Sequence, residues 1–168
     1  MAHNEEMNTL LAKEGKICIG IISDTHGLLR PEAVDAMEGV DLIIHAGDIG
    51  GDSILDELGS CAPVVAVRGN LDNEGRACRL PLNDTVALKN TIIHVIHDVD
   101  RIDLDPSASG ISVVINGHSH RPSVKRRDGV LYLNPGSAGP RRFNLPVSVA
   151  LMHVNGKSVK AEIVQLKV

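Results

Sequence analysis

The sequence predicts a mixed α/β fold in which two sheets pack face to face with helices outside. Three observations carry that expectation. Residues 17–67 alternate apolar runs with helix signals in the order strand, helix, strand, helix, strand, which implies parallel strands joined by right-handed crossovers. The second half instead reads as apolar runs paired through the tight-turn dipeptides Lys89-Asn90, Asp128-Gly129 and Asn155-Gly156. Hydrophobic residues make up 43% of the 168, yet Tyr132 and Phe143 are the whole aromatic complement, so the core has to be aliphatic.

In order along the chain, residues 1–16 are polar and read as a flexible N-terminal tail, and 17–168 as a single domain. The continuous apolar run 17–22 suits a strand buried on both faces. Pro31 opens a helix that Gly39 should stop. A strand follows over 41–45, then a helix over 52–59 capped by Asp52 or Ser53 with Ile54, Leu55 and Leu58 inward. Residues 63–67 form the third strand, 85–88 and 91–96 a hairpin, and 98–110 a loop with at most a short helix. A strand over 111–116 and hairpins over 123–134 and 147–166 complete the chain.

Lysine and arginine total 17 against 21 acidic residues, a net charge of -4. That balance argues against broad binding to nucleic acid or anionic lipid, and the lack of aromatics removes a base-stacking platform. Cys18, Cys61 and Cys78 form no C-x-x-C; Cys18 and Cys61 read as small core residues in a reducing cytoplasm. No signal-peptide pattern precedes the first strand, and no stretch is long and apolar enough for a membrane helix.

Function is written at the strand ends. Asp24-Thr25-His26, Gly47-Asp48, Gly69-Asn70, His97 and Gly117-His118-Ser119-His120 each follow an apolar run. In α/β sheets such ends face a common crevice. Asp24 and His26 lie two apart, as do His118 and His120, a spacing that in an extended segment points both side chains the same way. A carboxylate such as Asp48 has two oxygens and can face two cations.

The chain resembles the calcineurin-like metallophosphoesterases, of the small bacterial and archaeal phosphodiesterase type. The resemblance runs over about 17–142 and rests on Ser23-Asp24-Thr25-His26-Gly27, His45-Ala46-Gly47-Asp48, Arg68-Gly69-Asn70, His97 and Gly117-His118-Ser119-His120-Arg121-Pro122, with Asn134-Pro135-Gly136-Ser137 and Pro140-Arg141 as a further block. It implies a four-layer α/β/β/α sandwich. It implies Asp24, His26, Asp48 and His120 on one divalent cation and Asp48, Asn70, His97 and His118 on a second, with Asp48, Asn70 and His97 at the reacting centre. Imidazole, carboxylate and amide donors suit manganese first, and iron, nickel, zinc or cobalt, rather than calcium. The implied reaction is phosphodiester hydrolysis by a hydroxide bridging the two cations. Phosphomonoester or nucleotide pyrophosphate cleavage at the same centre, and a non-catalytic protein-interaction scaffold on the same fold, are the alternatives. The expected partner is a small phosphoester, and an exposed strand edge leaves room for a homodimer.

Two departures stand out. Leu71 occupies the position where relatives carry a proton-donating His or a Cys, so the side chain there can supply no proton to a leaving group. Asp98 follows His97 where Gly is usual: it could orient His97, add a metal contact or cap the next turn, and the cap is the favoured reading. Of the rest, Arg141 or Arg142 is a candidate for substrate phosphate. His45 is expected behind the cage, His94 on the strand face opposite His97, and His153 on the surface. Lys125, Arg126 and Arg127 read as a solvated edge, and Asp72 and Asn73 as turn residues.

Overall fold

The structure is a computed structural model that describes residue 13 and residues 15–168. The tail expected over 1–16 lies mostly outside the described residues. Strand β1 (Ile17–Ile22) leads into α1 (Pro31–Asp35), β2 (Leu42–His45), α2 (Asp52–Gly59) and β3 (Val64–Ala66). Then come β4 (Asn83–Leu88), β5 (Thr91–Ile96), β6 (Val113–Ile115), β7 (Ser123–Arg127), β8 (Val130–Asn134), β9 (Ser148–Asn155) and β10 (Ser158–Gln165). Two five-stranded mixed sheets result, ordered β10-β9-β1-β2-β3 and β4-β5-β6-β8-β7.

Each sheet is built around a parallel trio, β1, β2 and β3 in one and β5, β6 and β8 in the other, with an antiparallel hairpin or strand added at the edge. All three predicted hairpins form. Lys89 and Asp128 sit at φ +54° and +51°, the left-handed conformation that a tight hairpin turn demands.

The alternation of side chains along the strands fixes the layers. Ile19, Ile21 and Ile44 face Ile93, Val95, Val113, Ile115, Leu131 and Leu133 across the gap between sheets, an aliphatic core throughout. On the outer face of the first sheet, Ile22 and Ile43 pack under Met37, Ile54 and Leu58 from the helical layer. The outer face of the second sheet is covered by Val99, Ile102 and Leu104, which belong to a short 3-10 turn (Val99–Arg101) and an irregular loop rather than to an α-helix. Segment 98–110 is thus the loop with a short helix that its sequence suggests.

Three local expectations change. The helix from Pro31 ends at Asp35, and the chain reaches Gly39 through turns closed by Met37 N–H on Val34 O (2.9 Å) and Glu38 N–H on Asp35 O (3.2 Å). Neither Asp52 nor Ser53 caps α2: the position before the helix is Gly51, and the Asp52 carboxylate instead accepts the Arg76 N–H at 2.7 Å. The cysteines are free and only partly buried, Cys18 and Cys61 at the margin of the outer core.

Ile44 is fully buried between the sheets, so Ile44→Ala should cost about 3 kcal/mol of unfolding free energy, measured by urea denaturation at pH 7.

Candidate metal centre

The parallel trios aim their carboxyl ends at one edge of the sandwich. Asp24 and His26 follow β1, Asp48 follows β2, Asn70 follows β3, His97 ends β5, and His118 and His120 follow β6. These seven side chains come together. His120 Nε2 lies 3.1 Å from Asp24 Oδ1 and 3.3 Å from His26 Nε2. His97 Nε2 lies 3.4 Å from Asp48 Oδ2, and His118 Nδ1 lies 3.1 Å from Asn70 Oδ1. The His97 and His118 rings meet edge to face with centroids 5.2 Å apart.

The pairs at spacing two converge for a reason other than strand alternation. Asp24, His26, Asp48, His118 and His120 all have positive φ, between +47° and +65°. The segments are therefore not extended: each turns through the left-handed region, which costs about 1–2 kcal/mol per residue outside glycine and which Asp and His tolerate better than most. Bonds between loops hold the strained backbone. Asp24 N–H donates to Gly47 O (3.0 Å), His26 N–H to Asp48 O (2.9 Å), and Gly117 N–H to His97 O (3.0 Å). Glycine allows the close approach: a Cβ at Gly69 would stand 2.1 Å from Asp48 Oδ1, and one at Gly117 2.0 Å from Ser23 Oγ.

Each carboxylate divides its oxygens between scaffold and cage. Asp24 Oδ2 accepts from Ser23 Oγ (2.6 Å) and His118 N–H (3.2 Å), while its Oδ1 is buried with no hydrogen-bond donor. Asp48 Oδ1 accepts the Leu71 N–H at 2.9 Å, and its Oδ2 faces His97. His97 donates Nδ1–H to Ala46 O at 2.7 Å, which leaves its buried Nε2 as a bare lone pair aimed at the Asp48 carboxylate. That arrangement needs a positive charge between the two atoms. Burial pushes the His97 pKa down, but the facing Asp48 and the Asp24 charge outweigh it, and the net shift is upward. The Asp48 pKa is lowered, burial being overcome by His97, the Leu71 amide and His26.

A divalent cation meets the same need. Donors around a six-coordinate ion with bonds of ~2.1 Å stand ~3 Å apart, close to the separations here. Two tight donor groups fit, Asp24 with His26 and His120, and Asp24 with Asp48 and His97. Asp24 stands in both groups, and Asp48 joins the second beside His97.

Behind the cage, Thr25 Oγ1 donates to Ile49 O (2.8 Å) and therefore accepts from His45 Nε2–H (2.9 Å); His45 Nδ1 then accepts the Gly47 N–H (3.2 Å). Both ring nitrogens are satisfied in neutral imidazole. Burial drives the His45 pKa from 6.5 to about 4 against the opposing charges of Asp24 and Asp72.

Several residues take positions the sequence did not disclose. Asp72, expected as a turn residue, is 3% exposed and accepts three backbone amides: Ile49 (2.8 Å), Gly50 (3.0 Å) and Gly69 (2.8 Å). It clasps the loop bearing Asp48 to the loop bearing Asn70. The Asn134-Pro135-Gly136-Ser137 block also braces the cage: Asn134 Nδ2 donates to Gly117 O (2.7 Å) and Ser137 Oγ to Asp24 O (3.0 Å). Arg141 Nη2 donates to Val168 O at 3.2 Å, while Arg142 is the neighbour whose charge helps lower the His26 pKa after burial. His94 takes the opposite strand face and meets Thr85 Oγ1 at 3.1 Å, and His153 is half-buried rather than on the surface. Asp98 accepts the Asp100 N–H at 3.1 Å, the cap its position suggested.

A two-sheet sandwich carrying a histidine and carboxylate cage at its strand ends defines a metallohydrolase class of site. Residues 17–157 match the calcineurin-like phosphoesterase superfamily domain. A probable metallophosphoesterase of Methanothermobacter thermautotrophicus is 35% identical over 159 residues, covering 88% of this chain and 91% of that protein. The chain belongs to the calcineurin-like phosphoesterase superfamily. Among solved structures, an archaeal phosphodiesterase superposes with a TM-score of 0.72 at 23% identity (88% and 100% of the two chains), and Vacuolar Protein Sorting 29 of Cryptosporidium parvum with 0.74 at 16% (91% and 99%). At those identities the likeness concerns the fold. No helix among the described residues is long and apolar enough to cross a membrane.

Removing the Asp72 carboxylate strands two buried amides and a partly buried one, the buried ones costing about 1–3 kcal/mol each, so Asp72→Ala should lose at least about 2 kcal/mol in urea unfolding. For His45 the folded pKa lies below the unfolded one, so the stability it preserves is full above pH 6.5 and falls away towards pH 4. The shift corresponds to about 3 kcal/mol, and the fall should be shallower in His45→Gln when the metal-free proteins are compared between pH 4.5 and 7.

Proposed function

We propose that the chain hydrolyses phosphodiesters at a dinuclear centre, with Asp24, His26, Asp48 and His120 holding one divalent cation and Asp48, Asn70, His97 and His118 the other. Its chief support is the gathering of seven donor side chains, two of them buried carboxylates, at the carboxyl ends of two parallel trios. Manganese suits the donor set first, with iron, nickel, zinc or cobalt close behind. When bound, such a pair supplies Lewis acidity and a water acidified to near neutrality.

The residues do the rest. Ala46 O fixes the His97 tautomer so that Nε2 faces inward. Ser23 and the Leu71 amide hold Asp24 and Asp48 at one oxygen each and leave the other for the cage. With Asn70 Oδ1 directed at His118, the Asn70 Nδ2 amide is free to donate to a phosphoryl oxygen. Leu71 offers no proton to the departing oxygen, although it stands beside Asn70 and is 54% exposed. A leaving group stable as an anion is therefore favoured.

With manganese present, bis(p-nitrophenyl) phosphate should be cleaved at least about a hundredfold faster than an unactivated alkyl diester, the scale of one general acid. Equal rates reject the role given to Leu71. Asp48→Ala should lose bound metal by elemental analysis and abolish turnover. A wild-type protein that takes up no metal and cleaves neither ester would instead be a binding scaffold.

A further inference from the structure

A cavity of about 480 Å³ opens beside the cage and shares Asn70, His97 and His118 with it. Its volume lies in the range of small-molecule sites. Its apolar lining is Leu82, which is 56% exposed, and the edge of Ile96, which ends β5 and is 6% exposed. An exposed leucine beside a polar cage is a hydrophobic surface without a protein partner.

The charges around the cavity cancel. Two cations, Arg68 and Arg101, stand with two anions, Asp98 and Asp103. The cations are also engaged. Arg101 Nε pairs with Asp98 at 3.6 Å, and Arg68 Nη1 donates to Cys78 O at 3.1 Å. Asp98 is further tied to its own turn through the Asp100 amide, while the Arg101 side chain is mostly exposed. A second phosphate would meet two carboxylates here beside guanidinium groups each already bonded at one nitrogen, whereas an uncharged ring would meet the two aliphatic side chains.

We propose that this cavity is the subsite for one uncharged organic ester substituent of about the size of an aromatic ring, which packs on Leu82 and Ile96 while the phosphoryl group stays at Asn70, His97 and His118. The inference rests on the phosphoesterase reading and adds the class of substituent: aryl or similar apolar alcohols rather than polyphosphates.

Binding can be read without turnover. Titration calorimetry of manganese-loaded protein with inorganic phosphate, methylphosphonate, phenylphosphonate and pyrophosphate should give phenylphosphonate about tenfold tighter binding than methylphosphonate, as expected for partial burial of a ring. In Leu82→Asp, a change at an exposed position, that preference should vanish while phosphate affinity stays within about twofold. Normal phosphate binding with equal affinities for the two phosphonates overturns the subsite, as does tighter binding of pyrophosphate than of phenylphosphonate, or a preference that survives Leu82→Asp. Failure of the wild-type protein to bind either manganese or phosphate overturns the phosphoesterase reading itself, and the subsite with it.

Discussion

Two buried carboxylates brought close together are the constraint on which the site depends. Asp24 and Asp48 place ligand oxygens within 4.8 Å of one another. At an effective dielectric near 20, like charges at that distance repel by about 3 kcal/mol. No lysine or arginine among the described residues forms an ion pair with either; the side chains nearest to them are the imidazoles of His26, His97 and His120. The upward shift of the His97 pKa, in which Asp48 and Asp24 outweigh burial, is the same negative charge felt at the imidazole. A site that stores negative charge in this way is organised for a ligand of opposite sign, and the phosphoesterase family to which the chain belongs is one that acts with metals.

Holding those carboxylates in place is a backbone task. Short strands end together, and the loops that follow are laced by amide bonds from one to the next. The lacing runs in both directions between the second and third loops: Asp48 accepts from Leu71, and Asp72 accepts from Ile49, Gly50 and Gly69. Such reciprocity matters because five of the candidate ligands have left-handed backbone. Strain of that kind persists only where the surroundings over-determine the conformation. The bonds that fix the loops are the same bonds that orient the carboxylates, so geometry and strain relief are one structure.

Much of this was legible beforehand. Strand positions follow from aliphatic runs, and the hairpins from their turn dipeptides, because both signals are local. The gathering of Asp24, His26, Asp48, Asn70, His97, His118 and His120 could be anticipated from their shared place after strands. What stayed hidden depends on partners distant in sequence. Asp72 looks like any turn aspartate until the loop after β2 is folded against it. Asp52 looks like a helix cap until Arg76 takes its carboxylate. The spacing of two in Asp24 and His26 gave the right convergence by the wrong route, since positive φ is not visible in a run of side-chain types.

The cage and its surroundings therefore obey different rules. Every cage residue is tied into at least one neighbouring loop, and a change at one is felt at the others; Gly69 cannot gain even a Cβ without striking Asp48. The cavity wall is held mainly by local contacts: Asp98 bonds within its own turn and to Arg101, and Leu82 projects into open space. Such a wall can change its chemistry without disturbing the carboxylates. Leu71 combines both regimes in one residue. Its amide is part of the clasp on Asp48, whereas its exposed side chain is unconstrained by packing. A leucine there removes a proton donor and leaves the cage geometry intact. Under the proposed reaction, the chemistry would reside in the laced loops and the choice of leaving group in side chains that the fold leaves free.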